Sequence, residues 1–139
     1  KILAGNIKDR IGIVSFYIKN IHYNLVVRLL NDRYGIQVRG GCSCAGTYGH
    51  YLLEIDQATS KQITDTINHG DMSTKPGWVR FSVHPIMTNE EILIFVQAIK
   101  EITENIETWK SDYVYDPLSN DYFYIHHLRE DMSPFFRFK

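Results

Sequence analysis

Apolar and polar positions along this chain follow two different periods. Residues 11–18 (Ile-Gly-Ile-Val-Ser-Phe-Tyr-Ile) are rich in β-branched and aromatic side chains, which predicts a strand buried on at least one face. Leu25, Val26, Leu29, Leu30 and Tyr34 then recur at helical spacing, and Gly35 stands where such a helix would stop. Residues 36–38 predict a short second strand leading into Gly40-Gly41. Residues 47–53 predict a helical turn or two, and 57–69 a weakly amphipathic helix with Gly70 behind it. Residues 78–83 alternate well enough to predict a third strand. Thr88 and Glu91 have capping-box spacing and launch the clearest helix, with Ile92, Phe95, Val96, Ile99, Ile102, Ile106 and Trp109 on one face. Residues 1–9 read as a helix tail or a linker.

This order predicts an α+β fold: a small antiparallel or mixed sheet of about three or four strands with helices packed on one face. Ferredoxin-like domains share much of the order, so a non-catalytic ferredoxin-like binding module stays open as an alternative. From about residue 110 the texture changes. Tyr113, Tyr115, Tyr122, Phe123, Tyr124, Phe135, Phe136 and Phe138 crowd the end of the chain around a turn at Asp116-Pro117. Such a stretch is too aromatic for disorder. The expectation is a domain over 1–109 and an aromatic-rich extension, 110–139, packed on it.

Composition narrows the function classes. A length of 139 residues fits one domain with a real core. A net charge of −1 sets up no global field for nucleic acid or an anionic membrane. No apolar run approaches the roughly 18–20 residues a membrane span needs, and no signal-peptide pattern is visible. The chain opens at Lys1 inside what reads as folded sequence, which suggests a cut or processed fragment. Its two cysteines, Cys42 and Cys44, are one residue apart. A bridge between them would close a small strained ring, so the pair is expected to be unbridged and the compartment a reducing cytoplasm.

Candidate chemistry gathers in two places. Val38-Arg39-Gly40-Gly41-Cys42-Ser43-Cys44-Ala45 ends an apolar run in two glycines and then presents thiols. A cation such as Arg39 nearby lowers a thiol pKa and favours the nucleophilic thiolate. Cys44 is the candidate nucleophile, and Cys42 a bystander or a resolving thiol. In the predicted third strand, Val79 and Phe81 face one side, so Arg80 points with Trp78 and Ser82 to the other. A planar guanidinium there can grip a carboxylate bidentately. Cys-x-Cys lacks the second paired arm of a zinc site, since His126 and His127 are adjacent and diverge. His22 and His84 read as helix or turn caps, and Gly40-Gly41 is too short for a phosphate loop.

Arg10-Ile11-Gly12-Ile13-Val14-Ser15-Phe16, His22, Gly35 to Ala45 and Val79-Arg80-Phe81-Ser82 together resemble the C-terminal portion of class V aminotransferase-fold enzymes. These are fold-type I pyridoxal-phosphate proteins, and the cysteine desulfurases and selenocysteine lyases are the nearest-looking branch. The resemblance spans about residues 10–108. It implies that Cys44 is the mobile nucleophile, that Arg80 holds the substrate α-carboxylate, and that Arg39, the arginine before the cysteine loop, joins it in substrate binding. Cys42 and Ser43 stand where the desulfurases usually show two histidines. None of the eight lysines follows a histidine, whereas the family's Schiff-base lysine does. The resemblance therefore implies a small C-terminal domain, with pyridoxal phosphate held in the full-length enzyme by an upstream large domain and none expected on this fragment alone. It further implies a homodimer when full length, an amino-acid substrate such as cysteine, and inactivity of the isolated fragment. In the implied reaction, cysteine forms an imine with pyridoxal phosphate, Cys44 attacks its sulfur, and alanine and an enzyme persulfide result. The runner-up is a class V aminotransferase or lyase domain without a nucleophilic cysteine.

Overall fold

The computed structural model describes residues 1–42 and 46–126. Strands β1 (Ile13–Phe16), β2 (Arg39–Gly41) and β3 (Trp78–Ser82) form one antiparallel sheet in the order β1-β3-β2. Helices α1 (Tyr23–Tyr34), α2 (Gly46–Leu52), α3 (Gln57–Asn68) and α4 (Asn89–Trp109) complete the α+β arrangement, and a hairpin of β4 (Tyr113–Asp116) and β5 (Asp121–Tyr124) follows a short 3-10 turn. The fold class is the one the sequence pattern predicts.

The core lies between the sheet and helices α1 and α4. Val26, Leu29 and Leu30 of α1, Ala98 and Ile102 of α4, and Val79 and Phe81 of β3 are buried together. Phe81 stacks on Phe95 with ring centroids 3.8 Å apart. Val79 and Phe81 point to this side because strand residues alternate, which turns Trp78, Arg80 and Ser82 to the opposite face. There α2 meets Trp78: a Cβ added to Gly49 would lie 3.2 Å from the indole.

Local rules fix the helix ends. Thr88 Oγ1 accepts from Glu91 N–H at 3.2 Å, and the Glu91 carboxylate accepts from Thr88 N–H at 2.7 Å, a complete capping box. Asp56 caps α3 by accepting from Thr59 N–H. Gly35 ends α1 in the left-handed conformation at φ 65°.

Three sequence-based expectations shift. The second strand runs over Arg39–Gly41, not 36–38. Gly35 N–H donates to Asn31 C=O, and Ile36 N–H to Leu30 C=O at 3.0 Å, so this backbone caps α1 before it can pair with the sheet. Val96 is 56% exposed, and Ala98 takes the place in the core expected of it. The buried line Phe95, Ala98, Ile102, Ile106 is narrower than the apolar stripe, and Val96 sits one residue, about 100°, around the helix from Phe95. Residues 1–9 are not a helix tail: Ile2 bridges Phe16 antiparallel, Leu3 N–H donates to Ser15 C=O at 2.8 Å, and Leu3 is buried. Among the described residues no helix is long and apolar enough to cross a membrane.

Candidate functional site

The register of the sheet brings the two candidate arginines together. In the β2–β3 pair Arg39 lies directly opposite Arg80, and in the β1–β3 pair Ser15 lies opposite Arg80. Directly opposed residues of an antiparallel pair share a face, with Cβ atoms about 4.5–5.5 Å apart. Ser15, Arg80 and Arg39 thus form a row across the face that carries Trp78. Like charges placed this way repel. Among the described residues neither guanidinium has a carboxylate partner, and Arg80 Nε is buried without a hydrogen bond.

Both arginines line one cavity of about 720 Å³ beside edge strand β2, a volume within the range of small-molecule sites. Asn24, Arg28 and Asn31 of α1 form one wall, and Ser119, Asn120 and Asp121 of the hairpin form another. That second wall is held firmly. Asn120 Nδ2 donates to Tyr23 Oη at 2.6 Å, its Oδ1 accepts from Tyr115 Oη at 2.9 Å, and its backbone carbonyl accepts from Asn24 Nδ2. Arg28 forms a two-point ion pair with Asp121. Arg28 is thereby neutralised, which leaves Arg39 and Arg80 without an ion-pair partner among the described residues.

The glycine pair has a packing reason as well as a conformational one. A Cβ on Gly40 would stand 2.6 Å from Asn24 Oδ1 and 2.9 Å from both Tyr23 and Val27, so β2 lies directly on α1. Gly41 adopts φ 114°, which side-chain-bearing residues rarely reach. Gly40→Ala should therefore push β2 off α1 and cost about 1–3 kcal/mol, the usual scale for overpacking. It should also displace Arg39. Chemical denaturation checks the first effect, and a midpoint equal to that of the parent protein would show that β2 is not seated as described.

Beyond Gly41, Cys42 is half-buried, with its Cβ 3.6 Å from the position a Gly49 Cβ would take. Cys44 lies outside the described residues. Among the described residues no cluster of metal-ligating side chains occurs.

His22 proves to be the N-cap of α1: its Nδ1 accepts from Asn24 N–H at 3.2 Å. Its ring stacks on Tyr23 and leans against Tyr115 and Tyr122 of the hairpin. Burial pulls its pKa below the ordinary value near 6.5, against a smaller opposing pull from Asn120. The unfolded chain therefore binds a proton at His22 more readily than the folded one. The contribution of this ring to stability is complete above about pH 6.5 and declines as the pH falls below it. Asp56 and Asp116, held below the usual carboxylate range chiefly by hydrogen bonds from Thr59 and Ser119, act in the same direction only near their own lower values. His22→Asn preserves a good N-cap. It should flatten the loss of stability between pH 7 and pH 5, read from denaturation midpoints across that interval; an unchanged slope would remove His22 as its source.

A model of the class-V aminotransferase family matches residues 2–95. The chain belongs to the class-V aminotransferase family. No curated protein and no solved structure gives a significant match. The class-V match takes in Arg39, both cysteines and Arg80, and it ends within α4, so the hairpin wall of the cavity lies beyond it. The lineage is one of pyridoxal-phosphate enzymes. Such enzymes hold the cofactor as a lysine imine and give its ring nitrogen a charged partner. Among the described residues no lysine lines the Arg39–Arg80 cavity, and Asp121 is already paired with Arg28. The residues of this cavity fit a carboxylate and do not fit the cofactor.

Sequence reasoning singled out Arg39 and Arg80, which meet in one cavity. It missed Arg28, Asn24 and the hairpin residues Ser119 to Asp121. A signal for the hairpin was present: Tyr113-Val114-Tyr115 and Tyr122-Phe123-Tyr124 flank Asp-Pro-Leu-Ser-Asn-Asp, an alternating pair around turn residues.

Proposed function

We propose that this class-V domain supplies the substrate-carboxylate clamp and the sulfur-accepting thiol of a cysteine desulfurase-like enzyme, with pyridoxal phosphate held by residues outside the Arg39–Arg80 cavity. The reading rests on one observation above all. Arg80 and Arg39 face each other across β2 and β3 with no carboxylate of the described residues between them, and Arg80 Nε is buried and unpartnered. A buried donor left without an acceptor is costly. A substrate carboxylate would accept from the two terminal nitrogens of Arg80 in the fork geometry. The terminal nitrogens of Arg39 approach from the opposed strand.

Cys44 stands three positions after Gly41 in the sequence. It is our candidate sulfur acceptor. The net reaction balances: the carbon–sulfur bond of L-cysteine breaks, a sulfur–sulfur bond to Cys44 forms, and the thiol proton ends on the carbon that becomes the methyl group of L-alanine.

The test uses the native protein with its cofactor and L-cysteine. Alanine should form, and peptide mass analysis should find one added sulfur on Cys44. Cys44→Ser should abolish both the added sulfur and turnover, while Cys42→Ser should retain them. Formation of a keto acid with unmodified Cys44 would overturn the desulfurase reading and favour an aminotransferase without a nucleophilic cysteine. Cys42-Ser43, in place of the desulfurases' two histidines, is the feature that favours that second reading.

A further inference from the structure

Asn120 is buried at the turn of the β4–β5 hairpin, in a left-handed backbone conformation at φ 55° that asparagine tolerates better than most residues. A buried amide needs partners. Asn120 Nδ2 donates to Tyr23 Oη, its Oδ1 accepts from Tyr115 Oη, and its backbone carbonyl accepts from Asn24 Nδ2. Two of these three bonds reach the first turn of α1. The next contacts lead to the strands that carry the two arginines. A Cβ on Gly40 would stand 2.6 Å from Asn24 Oδ1 and 2.9 Å from the Tyr23 ring, and a Cβ on Gly77 would stand 2.5 Å from the same ring. Tyr23 therefore lies directly against β2 and against the segment that enters β3. Strand β2 consists of Arg39, Gly40 and Gly41, so it has no apolar side chain of its own to bury. Its seat on α1 depends on the groups that meet Gly40.

We infer that Asn120 is a positioning residue of the substrate clamp: it holds Tyr23 and Asn24 against Gly40 and Gly77, and so sets where β2 and β3 present Arg39 and Arg80. This rests on the carboxylate clamp proposed above and adds to it a residue that lies beyond the class-V match. Gly40 adjoins Arg39 and pairs with Val79, the neighbour of Arg80, so a shift at Gly40 changes the alignment of the two arginines. Both ends of the Asn120 amide are engaged by tyrosines, so the residue acts through Tyr23 rather than on the ligand. The main core does not need that amide. Val26, Leu29, Leu30, Val79, Phe81 and Ile102 pack together without it.

Steady-state kinetics of the native protein with its cofactor and L-cysteine test this role. Asn120→Gly keeps the left-handed backbone and the carbonyl that Asn24 holds, and removes only the amide. It should raise KM about fivefold, the scale of one lost hydrogen bond, and change kcat by less than about twofold. In an Arg80→Lys background the guanidinium fork is already gone, so Asn120→Gly should raise KM by less than about twofold further. Tyr23→Phe keeps the ring on both glycines and loses the hydroxyl; it should raise KM by about two- to fivefold. Thermal melts show which variants are folded at the assay temperature. If Asn120→Gly is unfolded there, Tyr23→Phe decides, and a parental KM for Tyr23→Phe would overturn the inference. An equal rise in KM from Asn120→Gly in both backgrounds, or a fall in kcat alone, would also overturn it and make Asn120 purely structural. In those cases the higher KM of Arg80→Lys by itself leaves the clamp standing. Arg80→Lys with the KM of the parent protein would overturn the clamp and the inference together.

Discussion

Arg80→Ala should lower kcat/KM of the native protein for its amino-acid substrate by about 2–5 kcal/mol, or about 30- to 5,000-fold, without loss of the fold. The magnitude is that of removing one partner from a desolvated charge pair. It is large because Arg80 Nε has no protein group to fall back on among the described residues. Arg80→Lys should restore only part of the activity, since a point-charge ammonium cannot present the paired donors of a guanidinium. Stability should change little. The flanking residues Val79 and Phe81 carry the packing of β3, while Arg80 points to the other face. Removing its charge also relieves the repulsion with Arg39. Steady-state kinetics with cysteine and close analogues, beside a thermal melt, separate the two effects. An Arg80→Ala protein with unaltered kcat/KM, or one that fails to fold, would make Arg80 a structural residue.

The second large effect is expected at the centre of the molecule. Leu29 is completely buried among residues of the sheet and of α4, and α1 also contacts the hairpin. Leu29→Ala should cost about 2–5 kcal/mol through lost transfer free energy and the cavity left behind. Val96→Ala is the informative companion. Hydrophobic spacing alone puts Val96 on the buried face of α4, yet the side chain is largely exposed. Its truncation should change stability by less than about 0.5 kcal/mol. Comparable losses for the two variants in denaturant titrations would mean that the orientation of α4 is wrong.

What the sequence could reveal follows from the range of the forces involved. The capping box at Thr88 and Glu91, the stop at Gly35 and the alternation of β3 depend on residues a few positions apart, and each was readable. The face of Arg80 followed from the buried neighbours on either side of it. The position of β2 was not readable. It depends on the cap closing α1 and on the fit of Gly40 against Asn24, Tyr23 and Val27, contacts between elements. The same holds for the edge of the buried stripe on α4, which α1 and the sheet define and a helical wheel cannot. The pairing of Ile2 with Phe16 joins an unremarkable opening segment to β1 across a gap that no local pattern spans.

The candidate site divides along the same line. Arg39 and Arg80 are far apart in sequence, and only the registers of β2 and β3 make them neighbours. The opposite wall comes from a hairpin about forty residues beyond Arg80, held by Asn120 on Tyr23 and by Asp121 on Arg28. Those contacts explain why a segment outside the class-V match bears on the same cavity.

The most direct measurement is a crystal structure of the native protein with bound L-alanine, the product of the proposed reaction. The account predicts both carboxylate oxygens at hydrogen-bond distance from the terminal nitrogens of Arg80, and Arg39 alongside. A protein carboxylate paired with Arg80, or alanine bound away from the Arg39–Arg80 cavity, would contradict it.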